Sequence, residues 1–260
     1  MTGVSGGNLR TVLIIGGAVG AAAGVAGVLA VTLFDGETRD GRRVPKGDEI
    51  VCLRAPLPFV ADATPECLTS ADLKALAEAP LANPNGGPAR VTLAHPTDLA
   101  AAPQSVESCA QYRPLADAGW GGLSSRDMRR EQVFQRACGA IDMLARAEFP
   151  TKSYFASDAL SAEDLKSLAP SAIARIAPDG DRLDGESLSV EAEGDGRWII
   201  RVPNEETSIE EIAHADFNGD GLGDVLFAAG QRASGGTLST AFIGYFTKTG
   251  ADAAVGMEID

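Results

Sequence analysis

The 260-residue sequence has few histidines, few aromatic residues and no run of basic side chains. Two histidines, and four cysteines without a Cys-x-x-Cys pair, make a poor ligand set for zinc, which usually needs closely spaced ligand pairs. With 22 basic against 36 acidic residues the formal net charge is -14, so the chain is a poor electrostatic match for nucleic acid. It also lacks the motifs of serine hydrolases, zinc peptidases and P-loop enzymes. We therefore predict a protein that binds no nucleic acid and is not an enzyme.

One long apolar segment is present, and it runs from Thr11 to Phe34 without a charged residue. As a helix it would be roughly 36 Å long, enough to cross a hydrocarbon core of about 30 Å. The sequence thus predicts an uncleaved transmembrane signal anchor over 11–34, with a tail at 1–10 and a polar linker at 35–49. Cleavage after Val28-Leu29-Ala30 is the alternative.

Glycines recur about every fourth residue within this segment, at Gly16, Gly20, Gly24 and Gly27. Such a ridge lets a second helix approach closely in lipid, so membrane lipid and either a transmembrane protein or a second copy of the chain are the expected partners. Residues 12–35 have another interpretation, as the βαβ unit of a dinucleotide-binding enzyme. Its glycine fingerprint is imperfect, because Ala18 stands where the second glycine belongs.

The basic residues just beyond the segment would place the following domain inside the cell, whereas a short tail before a long domain is typical of an exported domain. The cysteines favour export, since an even number in such a domain suggests disulfides. Of three possible connectivities we expect the sequence-local pairs, Cys52–Cys67 and Cys109–Cys138. Four reduced thiols in a cytosolic protein are the alternative. The predicted location is a bacterial-type inner membrane, single-pass, with a periplasmic or other extracytoplasmic C-terminal domain.

Beyond the linker, the patterns predict an α+β fold with helices first and strands after. Region 50–178 is interpreted as mainly helical, loop-rich and disulfide-bonded, with capping motifs at Thr69, Ser124 and Ser161 and a long helix over 126–147. Arg129, Arg130 and Arg136 on that helix are interpreted as a solvated face, or else as a contact for an acidic partner. Region 179–260 shows a period of two and predicts a small antiparallel β region, with strands around 188–192, 198–202, 225–229, 238–247 and 255–259.

A loop at the centre of the β region carries the one motif with recognisable chemistry. Its side-chain oxygens fall at positions 1, 3, 5 and 9, on Asp216, Asn218, Asp220 and Asp224, and the Leu222 carbonyl can join them. Hard oxygen ligands on a flexible loop favour Ca²⁺ over Mg²⁺ or a transition metal. The carboxylates also repel one another, so we expect metal binding to be coupled to ordering of the loop. A metal-free turn is the alternative.

The loop is not an EF-hand, since Phe227 stands where a bidentate glutamate is required. It resembles the calcium loop of FG-GAP/VCBS-type repeats, D-x-[DN]-x-D-G-x-x-D followed by a β-strand, over about residues 212–230. In that family the modules serve adhesion, recognition or extracellular architecture. The resemblance implies a structural Ca²⁺ site in this chain, and it does not carry over a propeller's function. A single loop excludes a whole propeller.

Three functions follow from these observations. The first is a membrane-anchored accessory or structural protein that docks into a membrane complex through the glycine-ridged helix and carries a Ca²⁺-binding α+β domain outside. The second is a Ca²⁺-dependent extracytoplasmic binding module for a glycan, a cell-wall component or a protein. The third is a dinucleotide-binding enzyme that uses residues 12–35.

Overall fold

The computed structural model describes residues 38–39, 42–43, 47–60, 66–83, 87–98, 100–173, 188–234 and 238–259. The chain divides into two units, Met1–Asp35 and Gly36–Asp260, and every described residue belongs to the second.

A six-stranded antiparallel sheet dominates this unit. The order of the strands across the sheet is the same as their order along the chain. They are β7 (Ser189–Gly194), β8 (Arg197–Val202), β9 (Glu205–Ala215), β10 (Asp224–Ala233), β11 (Ser239–Thr247) and β12 (Gly256–Ile259). The two longest strands, β9 and β10, lie at the centre. Short hairpin connections suffice because each strand pairs with its neighbour in sequence.

Both faces of the sheet are covered by apolar side chains. Leu226 of β10 packs into a core cluster with Phe134 and Leu144 of the longest helix, while its neighbours Val225 and Phe227 pack into a second cluster on the opposite face. This alternation follows from the two-residue period of a strand. A sheet covered on both sides tolerates apolar residues at every position, which explains the continuous run that opens β10.

The part of the chain before the sheet contains short strand pairs and mostly short helices. The strand pairs are β1 (Thr38–Arg39) with β2 (Arg42–Arg43), β3 (Glu49–Cys52) with β4 (Cys67–Thr69), and β5 (Val91–Leu93) with β6 (Gln104–Val106). The helices are α1 (Ser70–Glu78), α2 (Cys109–Asp117), α3 (Ser125–Ala145), α4 (Ala162–Lys166) and α5 (Pro170–Ile173). A 3-10 turn spans Ala156–Asp158.

Three helices begin at the capping motifs found in the sequence. Thr69, Ser124 and Ser161 each accept a hydrogen bond from the backbone N–H three residues later, which satisfies one of the free donors at the helix start. The motif marks where a helix begins and says nothing of its length. Among the described residues only α3 is longer than nine residues.

The predicted fold class is wrong. The described chain is mainly β, and region 50–178 is not a helical half, because the strand pair β3–β4 precedes α1 and the pair β5–β6 lies between α1 and α2. The helices end early where proline follows, as α1 does two residues before Pro80, since the residue before proline disfavours the helical conformation.

The predicted membrane anchor is likewise corrected. In the ranges that the structure describes, no helix combines the length and the apolar character needed to cross a membrane. The longest, α3, carries charged residues along most of its length. This finding contradicts the single-pass inner-membrane location and the signal anchor. Segment 11–34, its glycines Gly16, Gly20, Gly24 and Gly27, and the alternative dinucleotide unit at 12–35 all lie outside the described residues.

Candidate metal centre

The β9–β10 hairpin holds the loop in which the sequence placed Ca²⁺ ligands. Ala215, the last residue of β9, pairs with Asp224, the first residue of β10, so residues 216–223 form the connection between them. Asp216 and Asp224 are therefore held at the rim of the sheet, where they are 2% and 0% exposed. Two buried carboxylates need partners, because an uncompensated buried charge is costly.

The Asp216 carboxylate organises the loop through the backbone. Oδ1 accepts hydrogen bonds from the N–H groups of Asn218 (3.2 Å) and Gly219 (2.7 Å), and Oδ2 accepts one from Gly221 (2.6 Å). Gly221 has φ +81°, a conformation that side chains with a Cβ rarely adopt. The glycine at loop position 6 thus allows the turn that aims three N–H groups at one carboxylate.

The two predicted ligands in the middle of the loop, Asn218 and Asp220, lie on its outer side. Asn218 Oδ1 accepts from Asp220 N (2.9 Å), Asp220 Oδ1 accepts from Leu222 N (2.8 Å), and both side chains are exposed. Among the described acidic, histidine and cysteine residues, the only three ligand atoms mutually within 4.8 Å belong to Glu49, Cys52 and Cys67. The three loop carboxylates therefore do not all lie within that distance of one another, and a cation would have to bring them closer together.

Asp224 is the predicted ligand whose carboxylate is only partly hydrogen-bonded. Its Oδ2 accepts a hydrogen bond from Phe217 N (3.0 Å), while the buried Oδ1 has no hydrogen-bond partner in the described chain. Burial is the main cause that raises the pKa of Asp224 to about 6, and the negative charges of Asp220 and Asp216 contribute to that rise. The Phe217 N–H and the nearby Thr247 hydroxyl act in the opposite direction, although among the described residues the Thr247 oxygen has no hydrogen-bond partner either. A bound cation would satisfy the free oxygen and offset the repulsion, so the residues fit Ca²⁺ in donor type and charge.

A second segment, residues 148–153, braces the loop from outside. Glu148 and Asp216 exchange both backbone hydrogen bonds at 2.9 Å. Thr151 donates to the Gly221 carbonyl through its N–H (2.9 Å) and its hydroxyl (2.8 Å), and Gly223 N donates to the Lys152 carbonyl (2.7 Å). This segment follows α3 directly, so the loop is tied to the end of the longest helix.

His214 closes the inner side of the loop. A Cβ added to Gly223 would lie 2.5 Å from His214 Nε2 and 3.0 Å from the Cβ of Ser153, so only glycine fits between them. Ser153 Oγ lies 3.3 Å from His214 Nε2, and Asp158 Oδ1 lies 3.7 Å from the same nitrogen. A serine-hydrolase triad requires the nucleophile and the carboxylate on opposite ring nitrogens. This trio does not meet that requirement.

The remaining predicted site residues that the structure describes are the four cysteines. The four cysteines form the two sequence-local disulfides, Cys52–Cys67 between β3 and β4 and Cys109–Cys138 between α2 and α3. Disulfide sulfurs are not thiolates, so they cannot make a metal site with Glu49. No protein-family model, curated protein or solved structure matches the chain.

Sequence reasoning missed the bracing residues Glu148, Thr151 and Ser153. They lie about 60 to 70 positions from their partners in the loop. Their own neighbourhood has no ligand spacing or strand period, and no local signal marks them.

Proposed function

We propose that the chain is a non-enzymatic binding module whose recognition surface is ordered by Ca²⁺ bound in the loop 216–224. The observation that carries this proposal is the buried, unpartnered Oδ1 of Asp224, in a loop whose other polar side chains, Asp216, Asn218 and Asp220, each carry an oxygen. The ion would be held by Asp216, Asn218, Asp220 and Asp224 with the Leu222 carbonyl.

The structural consequence of binding extends beyond the loop. Because residues 148–153 share backbone hydrogen bonds with it, fixing the loop also fixes that segment. Phe149 lies in the segment and is 67% exposed, one of few large apolar side chains on the surface of the described chain. An exposed aromatic beside an ion-ordered loop suits recognition of a glycan, a cell-wall component or a protein.

A membrane-docked accessory role is not carried forward, because none of the helices that the structure describes could cross a membrane. The binding-module function needs only the loop, the brace and the sheet, all of which are described.

The test is thermal unfolding in Ca²⁺ and in chelator, on the wild type and two variants. Ca²⁺ should raise the melting temperature of the wild type, since a ligand that binds only the folded state stabilises it. Asp220→Ala should abolish this difference, because Asp220 is exposed and its loss removes a ligand without disturbing the core.

Asp195→Ala is the matched control, since Asp195 is an exposed aspartate in the β7–β8 turn of the same sheet. It should keep the full response to Ca²⁺. An equal melting temperature of the wild type in Ca²⁺ and chelator would refute the metal site, and an equal loss in both variants would show that the response is nonspecific.

A further inference from the structure

A cavity of about 300 Å³ lies at the start of α3, against the chain that precedes β5. Four of the residues that line it are arginines, Arg90, Arg126, Arg129 and Arg130. Its volume is at the lower end of the range of small-molecule sites. The whole chain has a net charge of -14, so this cluster of positive charge is opposite in sign to the overall charge.

Three of these arginines have no charge partner. The side chains of Arg126, Arg129 and Arg130 make no hydrogen bond or ion pair in the part of the chain that the structure describes. Arg90 differs, because its guanidinium donates from Nε to Glu107 at 2.7 Å. The positive charge of the cavity is therefore mostly uncompensated.

The acidic residues nearest along α3 are occupied elsewhere. Asp127 takes part in the helix cap with Ser124. Its carboxylate accepts a hydrogen bond from the Ser124 hydroxyl, and its backbone N–H donates to the Ser124 Oγ. Glu131 accepts from the Gly122 N–H (2.8 Å) and from the Tyr112 hydroxyl (3.3 Å). Neither carboxylate is turned toward the arginines as a partner.

The arrangement is unfavourable for the helix itself. Arg126 lies three and four residues before Arg129 and Arg130, so like charges face one another on one side of the helix. All three stand in the first two turns, where the helix dipole disfavours cations. Residues that break a local rule without a compensating contact point to a ligand that supplies it.

The cavity is also lined by apolar residues, which indicates that the ligand has an apolar part as well as a negative charge. Pro88 and Val133 line it beside the arginines and offer apolar surface to an organic group. Guanidinium groups pair with phosphate oxygens through two parallel hydrogen bonds, and several of them suit a dianion better than a carboxylate with one charge. We propose that this cavity binds the phosphate monoester of a small organic molecule.

This site does not rest on the Ca²⁺ proposal. The cavity lies at the beginning of α3, whereas segment 148–153, which braces the loop, follows the end of α3, and a helix of 21 residues is roughly 30 Å long. Either site can fail without the other.

The experiment is calorimetric titration of the full chain at low ionic strength with phenyl phosphate, inorganic phosphate, phenyl sulfate and phenol. Phenyl phosphate should bind most tightly, because it alone combines a dianion with a ring. Its affinity should fall as salt is added, since exposed charges are screened. Phenol should not bind.

The double substitution Arg126→Gln with Arg129→Gln should weaken phenyl phosphate at least about tenfold, because it removes two charge-assisted partners. Both side chains are exposed, so the fold should persist, and an unchanged unfolding curve checks this. Arg197→Gln is the matched control, an exposed arginine on β8 outside the cavity, and it should bind as the wild type does.

Absence of saturable phenyl phosphate binding would overturn the proposal, as would equal weakening in the control. Inorganic phosphate binding as tightly as phenyl phosphate would refute the organic group, and phenyl sulfate binding as tightly would refute the preference for phosphate.

Discussion

Replacing Asp224 with asparagine should have opposite effects with and without Ca²⁺. Asparagine keeps an oxygen that can accept from the Phe217 N–H, but it removes a buried negative charge. In chelator the wild type retains that charge beside Asp216 and Asp220 with one oxygen unpartnered. The variant should therefore be more stable than the wild type in chelator and less stable in Ca²⁺.

The magnitude follows from the shift in pKa. Raising the pKa of Asp224 from 3.8 to about 6 corresponds to about 3 kcal/mol of destabilisation above pH 6. Solvent at the exposed side of the loop screens part of this, which leaves about 1–2 kcal/mol, or roughly 3–6 °C in melting temperature for a unit of this size. Ca²⁺ at a hundredfold excess over its dissociation constant returns about 2.7 kcal/mol to the wild type, enough to reverse the order.

The pH dependence has a definite sign. A carboxyl whose pKa is raised by folding contributes stability that is full below pH 3.8 and is lost as pH rises through about 6. In chelator the wild type should thus melt higher at pH 5 than at pH 7.5, and Asp224→Asn should lose this difference.

Scanning calorimetry of both proteins in Ca²⁺ and in chelator measures these effects, with Asp195→Asn as the control at an exposed turn. If the asparagine variant is less stable than the wild type by the same amount in both buffers, the carboxylate has only a structural role and the electrostatic reasoning is refuted.

Gly223→Ala should destabilise the fold by about 1–3 kcal/mol in urea unfolding, because the added Cβ would overlap the imidazole of His214. Gly250→Ala is the control, and it should leave the stability nearly unchanged because its added Cβ would have its nearest contact at 3.7 Å. Glu211→Gln should lower the free energy of unfolding by about 3 kcal/mol, because the buried Glu211 carboxylate is the partner of the Arg54 guanidinium and of an indole N–H. Glu210→Gln is the control, and it should lower the free energy of unfolding by less than about 1 kcal/mol, because Glu210 belongs to a more exposed ion pair. Tyr112 should titrate near pH 12, because burial and the charge of the nearby Glu131 raise its pKa to about 12. The stability of the fold should therefore fall as pH rises from 10 through 12. Absorbance at 295 nm follows the ionisation, and titration of Tyr112 near pH 10 would contradict this prediction.

Sequence periodicity located most of the sheet. Alternating apolar residues mark β7 and β8, and apolar runs mark β10, β11 and β12, near the ranges that the structure shows. Strand β9 was missed, although it lies at the centre. Four of its eleven residues are glutamates, which are rare in strands, and Glu205 and Glu211 are buried.

The buried Glu211 shows why β9 resists prediction. Its carboxylate accepts from Arg54, 157 residues away, and from the indole of Trp198 on the adjacent strand (3.0 Å). A buried glutamate is acceptable only with such partners, and no local pattern reveals them. The same reason hid the cavity. Of its arginines only Arg129 and Arg130 were singled out from the sequence, where they were interpreted together with Arg136 as a solvated face or a contact for an acidic partner.

The order of residues along the chain was sufficient for features that depend on near neighbours: helix caps, the turn at Gly221 and the row of oxygens from Asp216 to Asp224. These rely on contacts within a few positions, which composition and spacing display directly. Folding in three dimensions decided the rest: which carboxylate oxygen is left without a partner, which segment braces the loop, and where unpaired arginines surround a cavity. Burial and charge compensation depend on residues far apart in the chain, and they exist only once the sheet and helices have packed.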